Sequence, residues 1–237
     1  MLISEIYVSR QGEGLLTGTS SVFLRTSGCN LRCWFCDTPY TSWNAKGSQQ
    51  EIVSIIKNVS KQAEENNVEH VVVTGGEPML QKQITALTSG LKQKGLHITI
   101  ETAGTVWHPV ECDLMSISPK LSNSTPSVER AGEWVQRHEK TRDSISTVRR
   151  LVTNYDYQLK FVVDTPDDFP EIEDYLANLE QGLTQQLKPQ QILMMPQGTE
   201  QTELVAREIW LKPYCEQQGY TLSARKHIEW YGNQRGT

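Results

Sequence analysis

An α/β fold, an incomplete β/α barrel on a mostly parallel sheet with a peripheral helical insertion, is what the sequence predicts. Three observations lead there. Short β-branched runs alternate with segments of helical period, which specifies parallel strands joined by right-handed crossovers. Each run ends in glycine or polar residues, as strands do when their carboxyl ends face a ligand site. The 237 residues, 37% hydrophobic and 22% charged, suffice for one large core, so a single domain over 1–237 is expected.

Leu2 to Val8 alternates and is rich in isoleucine and valine, and Ser21 to Thr26 does the same after a Gly-Thr-Ser turn; both read as strands. Between them Gln11-Gly-Glu-Gly14 lets the backbone turn sharply beside polar hooks, although a solvated hairpin loop would look the same. Ser48-Gln-Gln-Glu51 has capping-box form, and Ile52, Ile55, Ile56, Val59 and Ala63 follow at helical spacing, so a helix is predicted over about Gln49 to Glu65. His70 to Thr74 is a β-branched strand running into Gly75-Gly-Glu-Pro78, where glycines admit close approach of backbone amides to a ligand. Met79 to Lys94 carries Leu80, Ile84, Leu87 and Leu91 on one face and stops at Gly95. Strands follow at Leu96 to Glu101 and Cys112 to Ser118.

Residues 121–157 are polar, then charge-rich with sparse apolar positions, and read as a lid or peripheral helical insertion. Gln158 to Val163 resumes the strands, and Thr165-Pro-Asp-Asp168 opens a helix with a cap, a proline in the first turn and carboxylates at the positive end. Ile192 to Met195, a helix over Glu200 to Tyr214, and Tyr220 to Ala224 close the series.

The chemistry concentrates between Ser27 and Tyr40, where Cys29, Cys33 and Cys36 stand as C-x3-C-x2-C, while Cys112 and Cys215 lie far off. Thiolates gathered on an irregular loop converge on one soft metal centre more readily than they form disulfides. Closed zinc sites and cubane iron–sulfur clusters take four protein ligands, so three thiols leave one iron position open for a chelating molecule. Three cysteines completed by Cys112 or a histidine in a tetrahedral zinc site is the competing arrangement.

A formal net charge of −5 gives no overall attraction for nucleic acid, and no nucleic-acid partner is expected. The longest apolar runs are short and no basic region precedes an apolar stretch at the start, so neither secretion nor a membrane span is expected. Reduced thiols suit a reducing compartment, and a cytoplasmic location is expected.

With Phe35 just before the last cysteine, the cysteine motif resembles that of the radical S-adenosylmethionine (SAM) enzymes, and Gly75-Gly-Glu-Pro78 resembles their SAM amino-group loop. Across nearly the whole chain, Gln11-Gly-Glu-Gly14, Cys36-Asp-Thr38, Thr74 to Pro78, Glu101 to Thr105, Ser116 to Lys120, Leu159 to Val163 and Trp230 to Thr237 together resemble the 7-carboxy-7-deazaguanine synthase family. That resemblance implies a partial barrel of the radical SAM type, a 4Fe-4S cluster, SAM cleaved to a 5′-deoxyadenosyl radical, and Mg2+. The reaction it implies is ring contraction of 6-carboxy-5,6,7,8-tetrahydropterin to 7-carboxy-7-deazaguanine with loss of ammonia, in queuosine and deazapurine biosynthesis. It also implies a small-molecule pterin substrate, a homodimer and a flavodoxin-type electron donor.

Carried onto this sequence, it assigns Cys29, Cys33 and Cys36 to the cluster and Thr38 to magnesium, a hard oxygen donor for an ion that keeps several waters. Phe35, Asp37, Gly76, Ser118, Lys120 and Gln197 fall to SAM, and Gln11, Gly12, Glu13, Arg25, Thr74 and His227 to the pterin. Residue types agree: an amide and a carboxylate pair with the edge of a pterin, and a guanidinium forks onto its carboxylate. Without the family, Arg25 reads equally as a partner of a nearby acid, His227 as a surface histidine, Lys120 as solvated, and Glu101 as either a group behind the site or half of an ion pair. Some family members carry a long insertion between the first two cysteines; this chain has the compact spacing, and Thr237 is left without a role.

Overall fold

The computed structural model describes residues 1–237. Two alternating segments, β1 (Leu2–Arg10) and β2 (Ser20–Thr26), form an antiparallel pair, and β3 (Ser48–Gln49) adds antiparallel to the free side of β1. From β2 onward every pairing is parallel, through β4 (His70–Gly75), β5 (His97–Thr102), β6 (Leu114–Ile117), β7 (Tyr157–Val163), β8 (Ile192–Pro196) and β9 (Thr221–Leu222). The nine strands run in the order β3-β1-β2-β4-β5-β6-β7-β8-β9, and the outer two do not meet. The expected incomplete barrel is therefore present, open between β3 and β9.

Strand alternation sorts the two faces. Val22, Leu24, Val71, Val73, Ile98, Ile100, Met115, Ile117, Leu159, Phe161 and Val163 are buried in one core. Covering helices supply the other half: Ile55, Val59 and Ala63 from α1 (Ile52–Asn66), Ile84, Leu87 and Leu91 from α2 (Ile84–Lys92), and Ile172, Leu176 and Leu179 from α6 (Phe169–Glu180). The intervening strand positions are polar and meet across strands. His70 Nδ1 lies 2.7 Å from Ser21 Oγ and its Nε2 2.8 Å from Thr99 Oγ1, while Gln158 donates to Ser116 Oγ at 2.7 Å. A polar lumen is what leaves room for a polar ligand at the strands' carboxyl ends. No helix is long and apolar enough to cross a membrane.

The expected capping box at Ser48 does not form. Ser48 and Gln49 instead pair with Ile3 and Leu2, because the edge of β1 offers them backbone partners, and α1 starts at Ile52. The helix expected from Met79 is split: Pro78–Leu80 makes one 3-10 turn, Gln81 is extended, and α2 begins at Ile84. Gln81 is held out of helix by its side chain, which accepts from Leu2 N–H (3.3 Å) and donates to the Ser27 carbonyl (3.1 Å).

Residues 121–157 divide in two. The helices α3 (Val128–Ala131) and α4 (Trp134–Arg142) are peripheral, as expected. By contrast α5 (Ile145–Asn154) is the crossover between β6 and β7, and its Val148 and Leu151 are fully buried. Parallel strands require such a crossover. The last helices also differ from expectation: α7 (Gln201–Gln218) continues past Pro213, whose lost partner is the carbonyl of exposed Ile209, and α8 (Lys226–Tyr231) follows β9.

Candidate active site

At the carboxyl ends of the strands lies a cavity of about 480 Å³. Every residue assigned to cluster, magnesium, SAM or pterin by the sequence resemblance lines it. Cys112 and Cys215 do not: Cys215 packs in the core, and Cys112 precedes β6 at the other end of the sheet. A fourth thiol for a tetrahedral zinc site is therefore out of reach.

One wall is the loop after β2. It docks on the turn after β4, where Glu77 N–H donates to the Gly28 carbonyl at 2.9 Å. A Cβ on Gly76 would sit 2.2 Å from that same oxygen, so the approach requires glycine. From outside, the peripheral segment braces the loop: Arg32 N–H donates to His138 Nδ1 (3.0 Å), Trp34 Nε1 to the Asn123 carbonyl (2.7 Å), and Arg130 to the Trp34 carbonyl (2.8 Å). Trp43 Nε1 donates to the Cys33 carbonyl at 3.0 Å. The segment expected as a lid or insertion thus serves as a brace for the cysteine loop.

All three thiols are free; Leu31 N–H donates to Cys29 Sγ at 3.4 Å, and Ser42 Oγ lies 3.2 Å from Cys36 Sγ. Burial pushes Cys29 up to about 12 and Cys33 up to about 11, and raises Cys36 as well. Ionised thiols here need a positive charge at the centre of the loop, which bound iron provides. Lys120, whose charge acts on Cys33, donates to the carbonyl and hydroxyl of Ser118 (2.8 and 2.6 Å).

Glu77 turns away from the cavity. It accepts from Met79 N–H (3.0 Å), Thr102 Oγ1 (2.8 Å) and Ala103 N–H (2.8 Å), and burial raises its pKa. Its role is to tie two strand-end loops together.

The facing wall is charged. Glu13 accepts from Lys160 Nζ (2.5 Å) and Arg225 Nε (3.2 Å), and Arg225 also pairs with Asp37. Although burial opposes it, Lys160 and Arg225 hold the Glu13 carboxyl well below the ordinary range, and Arg225 lowers Asp37. Glu101 accepts from Thr74 Oγ1 (2.9 Å) and Gln11 Nε2 (3.1 Å) and lies 3.9 Å from Lys160 Nζ, so it stands behind the site and beside a cation at once. His227 Nδ1 is 3.8 Å from Glu13 Oε1, and burial lowers its pKa. Gly12 passes so close that a Cβ there would meet His227 Cβ at 2.6 Å.

Arg25 is half-buried and paired: it donates to Glu5 (2.8 Å) and to Tyr7 Oη (2.8 Å), and Tyr40 Oη reaches the same Glu5 oxygen at 3.0 Å. Gln197 sits at the rim, with its amide set to donate to Asp164 (3.3 Å) and accept from Gly198 N–H (3.1 Å). Thr38 Oγ1 lies 3.9 Å from Cys36 Sγ. Glu13, Asp37 and His227 offer metal-ligand atoms within 4.8 Å of one another, but Lys160 and Arg225 already neutralise the two carboxylates.

Sequence reasoning missed Glu5, Tyr7, Tyr40, Lys160 and Arg225, all at or beside the cavity, and Thr237, which it left without a role, also lines it. One signal was available. A lysine in the apolar run Leu159-Lys-Phe-Val-Val163 has to face a polar lumen or an acid.

Comparison with known proteins agrees with this geometry. The model of the radical SAM superfamily matches residues 23–176. A 7-carboxy-7-deazaguanine synthase of Rhodopirellula baltica is 47% identical over 238 residues, covering 100% of this chain and 89% of its own. One from Halobacterium salinarum is 42% identical over 230 residues, covering 95% and 88%. Among solved structures, QueE from Escherichia coli superposes with a TM-score of 0.63 at 23% identity, covering 95% of this chain and 94% of that one, a likeness of fold.

Proposed function

The chain belongs to the radical SAM superfamily and, within it, to the 7-carboxy-7-deazaguanine synthases, and from that premise we propose how its cavity carries the reaction. The activity is contraction of 6-carboxy-5,6,7,8-tetrahydropterin to 7-carboxy-7-deazaguanine with release of ammonia, and its cofactors are a 4Fe-4S cluster and SAM. The observation that carries our reading is the sorting of the cavity into a wall of three uncompensated thiols and a wall of paired charges.

Cys29, Cys33 and Cys36 hold the cluster, and their donor set leaves an iron position for SAM. When bound, the cluster supplies the electron that cleaves SAM and so provides the radical that activates the pterin. Around it, Phe35 gives an apolar contact, Gly76 brings the backbone close, and Asp37, Ser118, Lys120 and Gln197 present polar atoms to SAM. On the facing wall Glu13, ionised by its two cationic neighbours, accepts N–H groups of the pterin, and Gln11, Gly12, Thr74 and His227 line its edge. Arg25, fixed by Glu5 and Tyr7, presents its guanidinium for the pterin carboxylate. Thr38 would offer Mg2+ one hydroxyl oxygen, and the ion would supply positive charge against the oxygens of the pterin.

Anaerobically reconstituted protein given the carboxytetrahydropterin, SAM, reductant and magnesium is expected to form 7-carboxy-7-deazaguanine. An intact cluster without product contradicts the reading. We further read the chain as one cytoplasmic domain acting as a homodimer reduced by a flavodoxin-type donor, with neither nucleic acid nor membrane as partner. Light scattering and reduction by purified flavodoxin test the dimer and the donor.

A further inference from the structure

Arg225 belongs to no motif and lies 212 residues from Glu13 and 188 from Asp37, yet its guanidinium meets both. Its Nε donates to Glu13 Oε1 at 3.2 Å, one Nη to Asp37, and the other Nη to the Gly198 carbonyl on the loop after β8. With the side chain 6% exposed and all three nitrogens engaged, the group cannot follow one carboxylate and keep the other in place. The two carboxylates sit on opposite duties: Asp37 follows the last cysteine on the SAM side, and Glu13 stands on the pterin side.

The connection continues beyond Glu13. Lys160 joins Glu13 to Glu101, and Glu101 accepts from Thr74 and Gln11. The series Asp37, Arg225, Glu13, Lys160, Glu101 therefore alternates in sign across the cavity floor. Its ends differ in freedom. Glu13 is 14% exposed and bound at both oxygens, whereas Asp37 is 37% exposed and its one ion pair is with Arg225.

We propose that Arg225 is a positioning residue that couples the two ligand sites, one guanidinium holding the SAM-side carboxylate and the pterin-side carboxylate in mutual register. This rests on the assignment of Asp37 and Glu13 to those two ligands. A ligand that fixes Asp37 fixes Arg225 against it, and thereby the Glu13 oxygen that the second ligand must meet; by linkage the effect runs equally in reverse. Arginine is required because its planar fork serves three acceptors in different directions, whereas an ammonium on a flexible stem serves one well.

The test is anaerobic calorimetry on cluster-loaded protein with the cluster kept oxidised, so that neither ligand turns over. SAM is titrated with and without 6-carboxy-5,6,7,8-tetrahydropterin, and the converse is repeated. In the unaltered protein each ligand is expected to tighten the other by about fivefold or more. Arg225→Lys is expected to bring that factor close to one and to weaken pterin binding several-fold, while iron content persists and SAM still binds. Asp37→Asn, a change on the SAM side, is expected to weaken pterin binding several-fold, and to do so no longer in the Arg225→Lys background.

An unaltered protein that binds both ligands independently overturns the coupling, as does an Arg225→Lys protein with the original factor. Should Arg225→Lys lose its cluster or its fold, Asp37→Asn alone decides, and unchanged pterin affinity overturns the proposal. Failure of the loaded, unaltered protein to bind either ligand overturns the functional reading itself, and the coupling with it.

Discussion

On the cysteine wall of the cavity, burial pushes Cys29 and Cys33 up to about 12 and 11, and the pull of Lys120 on Cys33 does not offset it. On the facing wall, although burial opposes it, Glu13, only 14% exposed, is held below its ordinary range because Lys160 and Arg225 stand against it. Both walls line one cavity, so solvent access does not explain the contrast. The difference is who supplies the counter-charge. For the pterin side the chain supplies it at folding; for the SAM side it leaves the charge to be delivered with iron. A site built this way is preorganised on one side and metal-dependent on the other.

The strongest way to break the comparison is Cys33→Ala. Because the thiol belongs to a wall completed only by metal, this variant is expected to lose SAM cleavage altogether while keeping its secondary structure, as read by 5′-deoxyadenosine formation and far-UV circular dichroism; unfolding would make the site structural. Next is Lys160→Met, which leaves Glu13 and Glu101 facing each other without their shared cation. Removing one partner of a buried pair costs about 3–5 kcal/mol, so denaturant unfolding should show a loss of that order, and an unchanged midpoint would mean that the charged wall is not self-sufficient.

Thr38→Ala tests the seam between the walls. It is expected to weaken the magnesium response by roughly tenfold, about 1.4 kcal/mol, while iron content stays constant; equal loss of both would remove the distinction drawn for this residue.

A further effect is expected in pH dependence. Glu13 and Asp37 have lowered pKa values in the folded chain, so their contribution is present above the ordinary carboxylate value near 4 and is lost as pH falls through their folded values. His70, at the other end of the lumen, is lowered by burial to about 4. It stays neutral in the fold while the unfolded chain binds a proton near 6.5, so stability falls from about pH 6.5 down to 4. His70→Gln should make the stability–pH curve shallower in that window, and an unchanged slope would contradict the assignment.

The same division explains what could be read from the sequence. Cys29, Cys33, Cys36, Gly76 and the Gln11-Gly-Glu13 turn sit in short contiguous motifs whose residue types name their chemistry, and the cavity gathers them all. Lys160 and Arg225 act across separations of 147 and 212 residues, which only the curl of the folded sheet brings together. Local pattern also failed where tertiary contacts competed: Ser48 was recruited to the edge of β1, and Gln81 was drawn out of helix by Leu2 and Ser27. In the segment 121–157 the surrounding charged residues concealed a crossover helix, whose inner face is Val148 and Leu151, fully buried, with Ile145 and Val152 partly buried against the core.

Amide hydrogen exchange on the cluster-free and cluster-loaded protein tests the central contrast most directly. Loading is expected to protect residues 27–42 and their brace at 121–142, while 11–14, 158–162 and 223–228 exchange equally slowly in both forms. Protection gained equally on both walls would show that the charged wall also waits for the metal, and would contradict the account.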